Sequence, residues 1–288
     1  WNVAPRRNTA NARIGMVDIA GRFRRFIPRR VSMFFMRTLF GLMPDGRRPG
    51  RSVAHNRALL ATRYLHGDGI EIGALGRPLP LPPGARARQV DRLSKDDMSA
   101  HYPAMAKKRH VRPPDIVDDG ETLASIPDVS QDFVVANHVI EHFEDPIRFL
   151  HNACRVLKAG GILFLAIPDK ERTFDRNRPV TPFDHLVSDF ENGAQISRAA
   201  HYREFVQLAE LPVGAESWTT EAECETRAQT LMDQDYSIHF HVWDRFAVMD
   251  LVLKVRERFG LPLMPEAILS TGDEVILVLR KGGDGTAG

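Results

Sequence analysis

The chain has 288 residues, of which 43% are apolar and 26% charged, so it is long enough to bury a sizeable core. Its two cysteines, Cys154 and Cys224, exclude a disulfide framework and favour a reducing compartment. None of its apolar runs reaches the roughly 18 residues that a membrane-spanning helix needs. The first residue is Trp1, so we expect the natural start of the protein to lie upstream.

The net charge of +2 conceals two oppositely charged parts. Residues 1–52 contain 12 arginines and two acids, Asp18 and Asp45, which leaves 27 basic and 35 acidic side chains in residues 53–288. The first part is a basic N-terminal extension and the second is an acidic globular body. Because a nucleic-acid-binding face would be basic, we expect no nucleic-acid partner for the body.

Within the extension, residues 21–46 mix arginines with large apolar side chains. The apolar side chains after Pro28 recur at helical spacing, which predicts a basic amphipathic helix. Such a helix is typical of contact with an anionic membrane surface, but docking on the body or on a partner fits equally well. The composition also resembles that of a transit peptide. We expect a cytoplasmic protein, peripheral on the inner face of the membrane if this helix binds lipid.

From residue 53 onward, predicted helices and strands alternate. A helix over 53–67 precedes five predicted strands, of which the third lies within 114–123 and the others are 69–73, 89–93, 132–139 and 162–169. Between the last two strands, Asp145 is a predicted N-cap and Pro146 a first helical residue, with Cys154 on the buried stripe. The glycines at 160–161 are predicted to end that helix.

The pattern then changes twice. Residues 170–240 are polar and rich in His, Arg and Asp, which predicts a cap or acceptor-binding insertion. A helix over 243–260 follows, and residues 265–281 read as two strands around a turn at 271–273. The alternation predicts an α/β fold with a doubly wound parallel sheet. Such sheets bind ligands at the carboxyl ends of their strands, where the strand order reverses.

Three acids fall at the predicted carboxyl ends of successive strands. Glu71 lies in the first, Asp91 follows 20 residues later, and Asp119 lies 28 residues beyond that. The interval from the first loop to Asp91 suits a nucleoside cofactor, whose ribose hydroxyls need an anionic acceptor. A single Asp at such a place is also a common turn residue.

Four stretches carry a family resemblance: GIEIGALG, QVDRL, DIVDDGETL and DFVVANHVIEHFEDPIRFLHNACRVLKAGGILFLAIPD. Through them, residues 67–169 resemble a class I S-adenosylmethionine (SAM) dependent methyltransferase of the methyltransferase-11 type. The runs IPDKERTFDRNRPVTPFDHL and HFHVW resemble a bacterial subgroup often encoded beside or fused to glycosyltransferases. The resemblance implies a Rossmann-like seven-stranded sheet, SAM as cofactor, and O-methylation of a sugar, glycan or lipid-linked glycan precursor.

The resemblance also implies roles around the methionine end of the cofactor. Glu71 would lie beneath the methionine portion and fix the loop, while Gly73 and Ala74 would let the backbone approach. Asn137 and His138 would face the methionine end and the transferred methyl group.

Four further residues would contact the nucleoside. Asp91 would accept hydrogen bonds from both ribose hydroxyls, with Arg92 beside the adenine. Asp119 would meet the adenine amino group, and the backbone of Gly120 would lie next to it.

The loop after the first strand departs from the family pattern acid-x-Gly-x-Gly-x-Gly. Leu75 and Arg77 replace the second and third glycines, and Gly76 is displaced by one position. A pyrophosphate needs close backbone approach and several free N–H groups, so this loss argues against NAD. SAM has no phosphate and tolerates the loss better, so we predict an altered but working cofactor site.

Methyl transfer from a sulfonium is an in-line displacement, for which the protein must align the acceptor and deprotonate a hydroxyl. The base is expected at 137–138 or in the insertion. The candidates in the insertion are Asp169, Asp175, Asp184, His185, His201, His239 and His241. We predict His138, His185 and His239 as catalytic, although each is individually also explained as a structural histidine.

Two further patterns have alternative explanations. Glu141 and His142 could be metal ligands, and the His239-x-His241 spacing puts two imidazoles on one face of an extended chain, but we predict no metal ion. Arg176 and Arg178 could clamp an anionic acceptor or belong to a solvated loop.

Two rival functions stay open on sequence grounds. One is a non-catalytic module with this fold, acting through partner or membrane binding. The other is a nicotinamide-dependent oxidoreductase, which lacks support because the Gly-x-Gly-x-x-Gly pattern is missing.

Overall fold

The computed structural model describes residues 49–74, 77–94, 97, 113–210, 218 and 220–283. The predicted amphipathic segment 21–46 lies outside these residues, as does most of the predicted extension 1–52. No helix in the described ranges is long and apolar enough to cross a bilayer.

Seven strands form one sheet in the order β3-β2-β1-β4-β5-β7-β6. The strands are β1 Gly67–Ile72, β2 Ala85–Asp91, β3 Ile116–Val117, β4 Gln131–Asn137, β5 Leu157–Pro168, β6 Leu263–Thr271 and β7 Glu274–Lys281. The predicted α/β, doubly wound seven-stranded sheet is therefore confirmed. It is mixed rather than wholly parallel, because β7 runs antiparallel to both β5 and β6. The two-residue turn between Thr271 and Glu274 reverses the chain, so β6 and β7 must form a hairpin.

Six α-helices connect and cover the strands of the described chain. They are α1 Pro49–Tyr64, α2 Pro146–Val156, α3 Phe183–Asn192, α4 Arg198–Leu208, α5 Glu221–Asp233 and α6 Arg245–Phe259. α1 begins before the predicted boundary at residues 52 and 53. Asp145 caps α2 as predicted, accepting a hydrogen bond from the backbone N–H of Arg148 at 2.9 Å. α6 ends at Phe259 and is capped by Gly260, whose φ of 66° lies in the left-handed region.

The prediction that the glycines at 160–161 end α2 is wrong. α2 stops just before Leu157, and β5 begins there directly. In the pairing of β4 with β5, Gln131 lies opposite Leu157 and Phe133 lies opposite Ile162. The β5 residues between Leu157 and Ile162 therefore bulge out of the ladder. Gly160, with a φ of +76°, makes the left-handed turn in this bulge.

The core lies on both faces of the sheet, because the side chains of a strand alternate between faces. Phe133 and Val135 of β4 pack towards α1, whereas Val134 and Ala136 pack towards α2 and α6. All four are fully buried, which confirms the prediction that β4 is buried on both sides. Cys154 lies in the second of these layers.

The segment between β5 and α6 contains α3, α4 and α5, and we call it the cap. α4, α5 and the chain after them share a separate hydrophobic core, composed of Tyr202, Phe205, Val206, Cys224, Ala228, Leu231, Ile238 and Phe240. α3 instead joins the core of the sheet through Leu186. The cap is thus a small helical unit tied to the sheet through its first helix.

Candidate active site

The predicted cofactor residues gather where the strand order of the sheet reverses. β2 and β3 lie on one side of β1, while β4 and β5 lie on the other. Ile72 at the end of β1 pairs with Val90 of β2 and with Ala136 of β4. The three parallel strands therefore end at the same edge, which is the usual position of a ligand in such a sheet.

Glu71 closes the loop that follows β1. Its carboxylate is almost completely buried and accepts hydrogen bonds from the backbone N–H of Leu79, at 2.9 and 3.1 Å, and from Gln89 Nε2 at 3.0 Å. Burial raises the pKa of Glu71 above its ordinary value, although hydrogen bonds from Gln89 and Leu79 act in the opposite direction. The loop is thus held by a side chain rather than by a series of glycines.

Gly73 is the loop glycine that the backbone geometry requires. Its φ is +65°, and its N–H donates to the carbonyl of Val90 at 2.9 Å. A Cβ atom at this position would lie 2.9 Å from Val139 Cγ2. Ala74 follows and is half-buried, whereas residues 75–76, which include two of the altered positions, lie outside the described chain.

Asp91 is the last residue of β2, Arg92 follows it, and the two side chains have different partners. Asp91 is half-buried, and its Oδ1 accepts from the backbone N–H of Leu93 at 3.0 Å. Burial raises the pKa of Asp91, and the Leu93 hydrogen bond opposes that change. Arg92 forms an ion pair with Asp235 at 2.8 Å, so it connects the sheet edge to the cap.

Asp119 and Gly120 shape the loop after β3. Oδ1 of Asp119 accepts from the backbone N–H groups of Glu121 and Thr122, at 2.7 and 3.1 Å. A Cβ atom on Gly120 would lie 2.9 Å from Ile72 at the end of β1 and 2.9 Å from the Phe143 ring. Only glycine therefore lets this loop approach the end of β1.

Asn137 presents an unused acceptor at the end of β4. Its Oδ1 is buried and has no hydrogen-bond partner among the described residues. The same side chain interacts with Glu71 and acts to lower its pKa. Buried polar atoms are normally paired. This acceptor therefore suits a ligand that brings an N–H group to the switch point, which is the edge of the sheet where the strand order reverses.

His138 is held by Glu274, the first residue of β7. It has a φ of 55°, which is rare for a residue with a side chain, and its Nε2 donates to Glu274 Oε2 at 2.7 Å. Glu274 is fully buried and also accepts from Arg57 Nε at 2.8 Å. Burial alone would raise the pKa of Glu274, but Arg57 and His138 outweigh it and hold the pKa below its ordinary value.

Glu141, just after β4, lies close to the imidazoles of His138, His142 and His239. We call Glu141, His142 and His239 the Glu141 cluster. Oε1 of Glu141 is 4.0 Å from His142 Nε2 and 3.9 Å from His239 Nε2. His138 Nδ1 is also 3.9 Å from the same oxygen. The structure thus brings together two of the three predicted catalytic histidines, His138 and His239.

His239 is oriented by a buried acid. Its Nδ1 donates to Asp175 Oδ2 at 2.7 Å, and Asp175 Oδ1 accepts from Arg178 Nη1 at 2.9 Å. Burial would raise the pKa of Asp175, but His239 and Arg178 outweigh it and lower the pKa. Asp175 is therefore an anion that fixes the Nδ1–H tautomer and leaves the lone pair on Nε2.

Arg178 fits neither sequence interpretation. It is fully buried, and besides Asp175 it donates to Glu204 Oε1 at 2.8 Å and to the backbone carbonyls of His239 and Phe240. It is therefore a cross-link inside the cap rather than a clamp or a solvated loop residue. Arg176 is exposed.

The third predicted catalytic histidine, His185, belongs to a different group. Asp189 and the imidazoles of His185, His201 and His241 converge in the cap, and we call these four residues the Asp189 cluster. His239 and His241 accordingly contribute to two clusters rather than to one ligand set. Of the other predicted base candidates, Asp169 is buried against Arg245 and Asp184 is exposed.

Comparison with known proteins decides between the classes that this geometry allows. Residues 84–165 match the sequence family described as a methyltransferase domain. The chain carries a class I SAM-dependent methyltransferase domain. The match begins after the altered loop, so the departure from the glycine pattern precedes the matched part of the methyltransferase domain.

Curated relatives of the methyltransferase domain come from mycobacteria. A probable S-adenosylmethionine-dependent methyltransferase of Mycobacterium tuberculosis (strain ATCC 25618 / H37Rv) is 33% identical over 99 residues, which is 34% of this chain and 34% of the relative. A relative from Mycolicibacterium smegmatis is 33% identical over 100 residues, 34% of this chain and 37% of its own length. The match therefore spans about a third of the length of these relatives.

Solved structures similar to the methyltransferase domain are more distant in sequence. A protein from Pyrococcus horikoshii OT3 is 17% identical, with 87% of this chain and 100% of that chain covered and a TM-score of 0.46. A SAM-dependent methyltransferase from Aquifex aeolicus is 10% identical, with 88% and 100% covered and a TM-score of 0.44.

A methyltransferase domain of this class implies SAM as its cofactor, and the residues at the switch point fit that molecule. The unused Oδ1 of Asn137 can accept from an ammonium group. Asp91 at the end of β2 offers a carboxylate for vicinal hydroxyls, and the left-handed Gly73 allows close approach to the loop backbone. None of these features requires a phosphate.

Proposed function

We propose that this protein is an O-methyltransferase that transfers the methyl group of SAM to a hydroxyl of a sugar, glycan or lipid-linked glycan precursor. In this proposal His239 is the general base. The observation that carries it is the 2.7 Å hydrogen bond from His239 Nδ1 to the buried carboxylate of Asp175.

SAM, when bound, supplies an electrophilic methyl group on a sulfonium. Asn137 Oδ1 would accept from its ammonium, and Asp91 would accept from the ribose hydroxyls. Glu71 supports the loop from below through Leu79, so Gly73 and Ala74 can pass close to the methionine portion. Asp119 and Gly120 would border the adenine, with Arg92 alongside.

The base is needed because a neutral hydroxyl is a weak nucleophile. Asp175 fixes the proton on His239 Nδ1, so the Nε2 lone pair is available to take the hydroxyl proton as the oxygen attacks. The resulting imidazolium would be stabilised by Asp175 and by Glu141, whose Oε1 lies 3.9 Å from Nε2. An oriented imidazole of this kind supports a hydroxyl acceptor.

His138 is proposed as a positioning residue. Its Nε2 is engaged by Glu274, and its Nδ1 lies 3.9 Å from Glu141 Oε1 in the Glu141 cluster. The choice of a sugar or glycan as acceptor is supported by the resemblance of residues 167–186 and 239–243 to the glycosyltransferase-associated subgroup.

The first test is calorimetric titration of S-adenosylhomocysteine into the whole chain. We expect micromolar binding that Asp91→Ala weakens by about 10- to 100-fold, as the loss of hydrogen bonds to a charged group predicts. Absence of binding to the folded protein would overturn the proposal and favour the non-catalytic module. Bound nicotinamide dinucleotide would favour the oxidoreductase.

The second test follows the methyl group itself. Radiolabelled SAM is supplied with a panel of mono- and oligosaccharides, with amine and carboxylate compounds as alternative acceptors. We expect label on a sugar hydroxyl, strong loss of transfer in His239→Gln, and full transfer in His66→Gln, an exposed histidine beside the opposite end of β1. Transfer only to amines or carboxylates would contradict the proposed acceptor class.

We also propose that residues 21–46 bind an anionic membrane surface, which would bring the domain to a lipid-linked acceptor. Flotation of the intact chain with vesicles containing anionic lipid, compared with a chain beginning at residue 49, tests this. Equal recovery of the two chains would contradict it.

A further inference from the structure

The Asp189 cluster brings four metal-ligating side chains from three parts of the cap to one point. His185 and Asp189 lie one turn apart on α3, His201 lies on α4, and His241 lies in the segment before α6. Asp189, His201 and His241 are buried, and His185 is partly exposed. One ligand atom from each of the four residues lies within 4.8 Å of the others.

The distances within the cluster are close to those expected between the ligands of one metal ion. His185 Nε2 is 3.0 Å from His201 Nε2 and 3.1 Å from Asp189 Oδ2. His201 Nε2 is 3.8 Å from the same oxygen. Ligands at about 2.0–2.2 Å from a tetrahedral metal ion lie about 3.3 Å from one another. Small side-chain movements would therefore complete the coordination geometry.

Two imidazole nitrogens of this cluster face each other. Nε2 of His185 and Nε2 of His201 point at each other, and only one of them can donate. One proton in an N–H···N hydrogen bond satisfies this contact, and a cation bound by the lone pairs of both nitrogens would satisfy it as well. Asp189 Oδ2, at the same place, adds the negative charge that a divalent cation would compensate.

The surroundings of Asp189 also resemble those of a metal-ligating carboxylate. Its other oxygen, Oδ1, accepts from Ser197 Oγ at 2.7 Å, which fixes the direction of Oδ2. Outer hydrogen bonds of this type orient the ligands of known metal sites.

His241 can supply the fourth ligand. Its Nε2 is 3.9 Å from Asp189 Oδ2 and donates to the carbonyl of Glu144 at 3.1 Å. Its Nδ1 has no hydrogen-bond partner among the described residues. Exchange of the Glu144 contact for a metal ion would bring His241 into the site.

We propose that His185, Asp189, His201 and His241 bind a divalent transition-metal ion of the zinc type. Three imidazoles and one carboxylate suit Zn²⁺ or Co²⁺, whereas Mg²⁺ and Ca²⁺ favour oxygen ligands. Four protein ligands make this a closed, structural site. It joins α3, which is anchored in the sheet core, to α4 and to the segment that carries His239.

The test uses the full chain after exhaustive dialysis against a chelator. Co²⁺ is titrated in, the visible absorption bands of tetrahedral cobalt are recorded, and Zn²⁺ is used to displace it. We expect one equivalent of tightly bound ion and a higher Tm with Zn²⁺ than without it. Affinity should weaken as the pH falls, since the ligands must lose protons to bind.

Two variants and one matched control locate the ion. Asp189→Asn and His185→Gln should each weaken Co²⁺ binding by about 100-fold or more, at or above the loss caused by removing outer-shell partners. His185 is the less buried of the two residues. The test therefore remains possible with His185→Gln if Asp189→Asn does not fold. Glu141→Gln, in the neighbouring cluster, should leave Co²⁺ affinity unchanged.

Three results would overturn the proposal. They are the absence of any cobalt spectrum or Zn²⁺-induced rise in Tm, unchanged affinity in both cluster variants, and loss of the ion in Glu141→Gln alone. The last result would place the ion in the Glu141 cluster instead.

Discussion

His239 Nδ1 and Asp175 Oδ2 lie 2.7 Å apart, although 64 residues separate them in the chain. The two residues come from opposite ends of the cap, and Arg178 holds both by bonding to the Asp175 carboxylate and to the His239 carbonyl. Both ends of the cap therefore meet at one imidazole, whose tautomer and orientation are fixed before any substrate arrives.

Replacing Asp175 with Asn should remove the charge that fixes His239. We expect kcat to fall by about 10²- to 10⁴-fold, the range of general-base catalysis, with little change in KM. Steady-state kinetics with the identified acceptor measure this. A variant that loses SAM affinity and keeps kcat would show that Asp175 serves the cofactor instead.

Arg178 should contribute strongly to stability. Arg178→Met would leave the Asp175 carboxylate buried with only His239, and we expect the free energy of unfolding to fall by about 3–5 kcal/mol. Arg176→Met, two residues away and exposed, should change it by no more than about 0.5 kcal/mol. Urea denaturation of both variants makes the comparison, and equal effects would contradict the buried cross-link.

Gly73 combines a left-handed backbone with a close contact. Gly73→Ala should cost about 1–2 kcal/mol for the backbone conformation and more for the collision with Val139. Gly84, with a φ of +87° and open space around it, provides the control that isolates the backbone cost. We expect Gly73→Ala to lower Tm more than Gly84→Ala does, and only Gly73→Ala to weaken S-adenosylhomocysteine binding. Equal losses of Tm would exclude the contact with Val139 as a cause.

Glu121 should make stability depend on pH near neutrality. Burial raises its pKa to about 7, despite hydrogen bonds from the backbone N–H groups of Glu144 and Asp145. Between an unfolded pKa of about 4.5 and this value, the folded protein holds a proton that the unfolded chain releases. Its contribution to stability is therefore present at low pH and is lost as pH rises through about 7.

Glu121→Gln tests this because the amide oxygen can accept the same hydrogen bonds without ionising. We expect the variant to gain stability over the wild type at about pH 8 and not at about pH 4. Urea unfolding of both proteins across this range measures the difference. Parallel pH profiles would show that Glu121 ionises as freely in the folded protein as in the unfolded chain.

The strands and helices whose signals are local were predictable from the sequence. The apolar run of β4 and the Asp145-Pro146 start of α2 depend on neighbouring residues alone. The prediction that the glycines at 160–161 end α2 was wrong because a glycine pair after a helix can either cap the helix or form a bulge. The register of β5 against β4 decides between these, and that register is not a local property.

Side-chain partners across the fold were mostly beyond the sequence. Glu274 binds His138 and Arg57 over separations of 136 and 217 residues, so no local pattern marks it. Asp189 is different, because it lies four residues after His185 on one helix face and could have been found from that spacing. The burial of Arg178 depends on the cap packing around it.

The position of β7 has a consequence for how the protein is made. Glu274 begins β7, the strand that lies between β5 and β6 in the sheet, and it is also the partner of His138 just after β4. During synthesis, β1 to β5 leave the ribosome well before this carboxylate exists. The edge of β5 and the contact between His138 and Glu274 must wait for β7, so this end of the sheet can be completed only after β7 has been made.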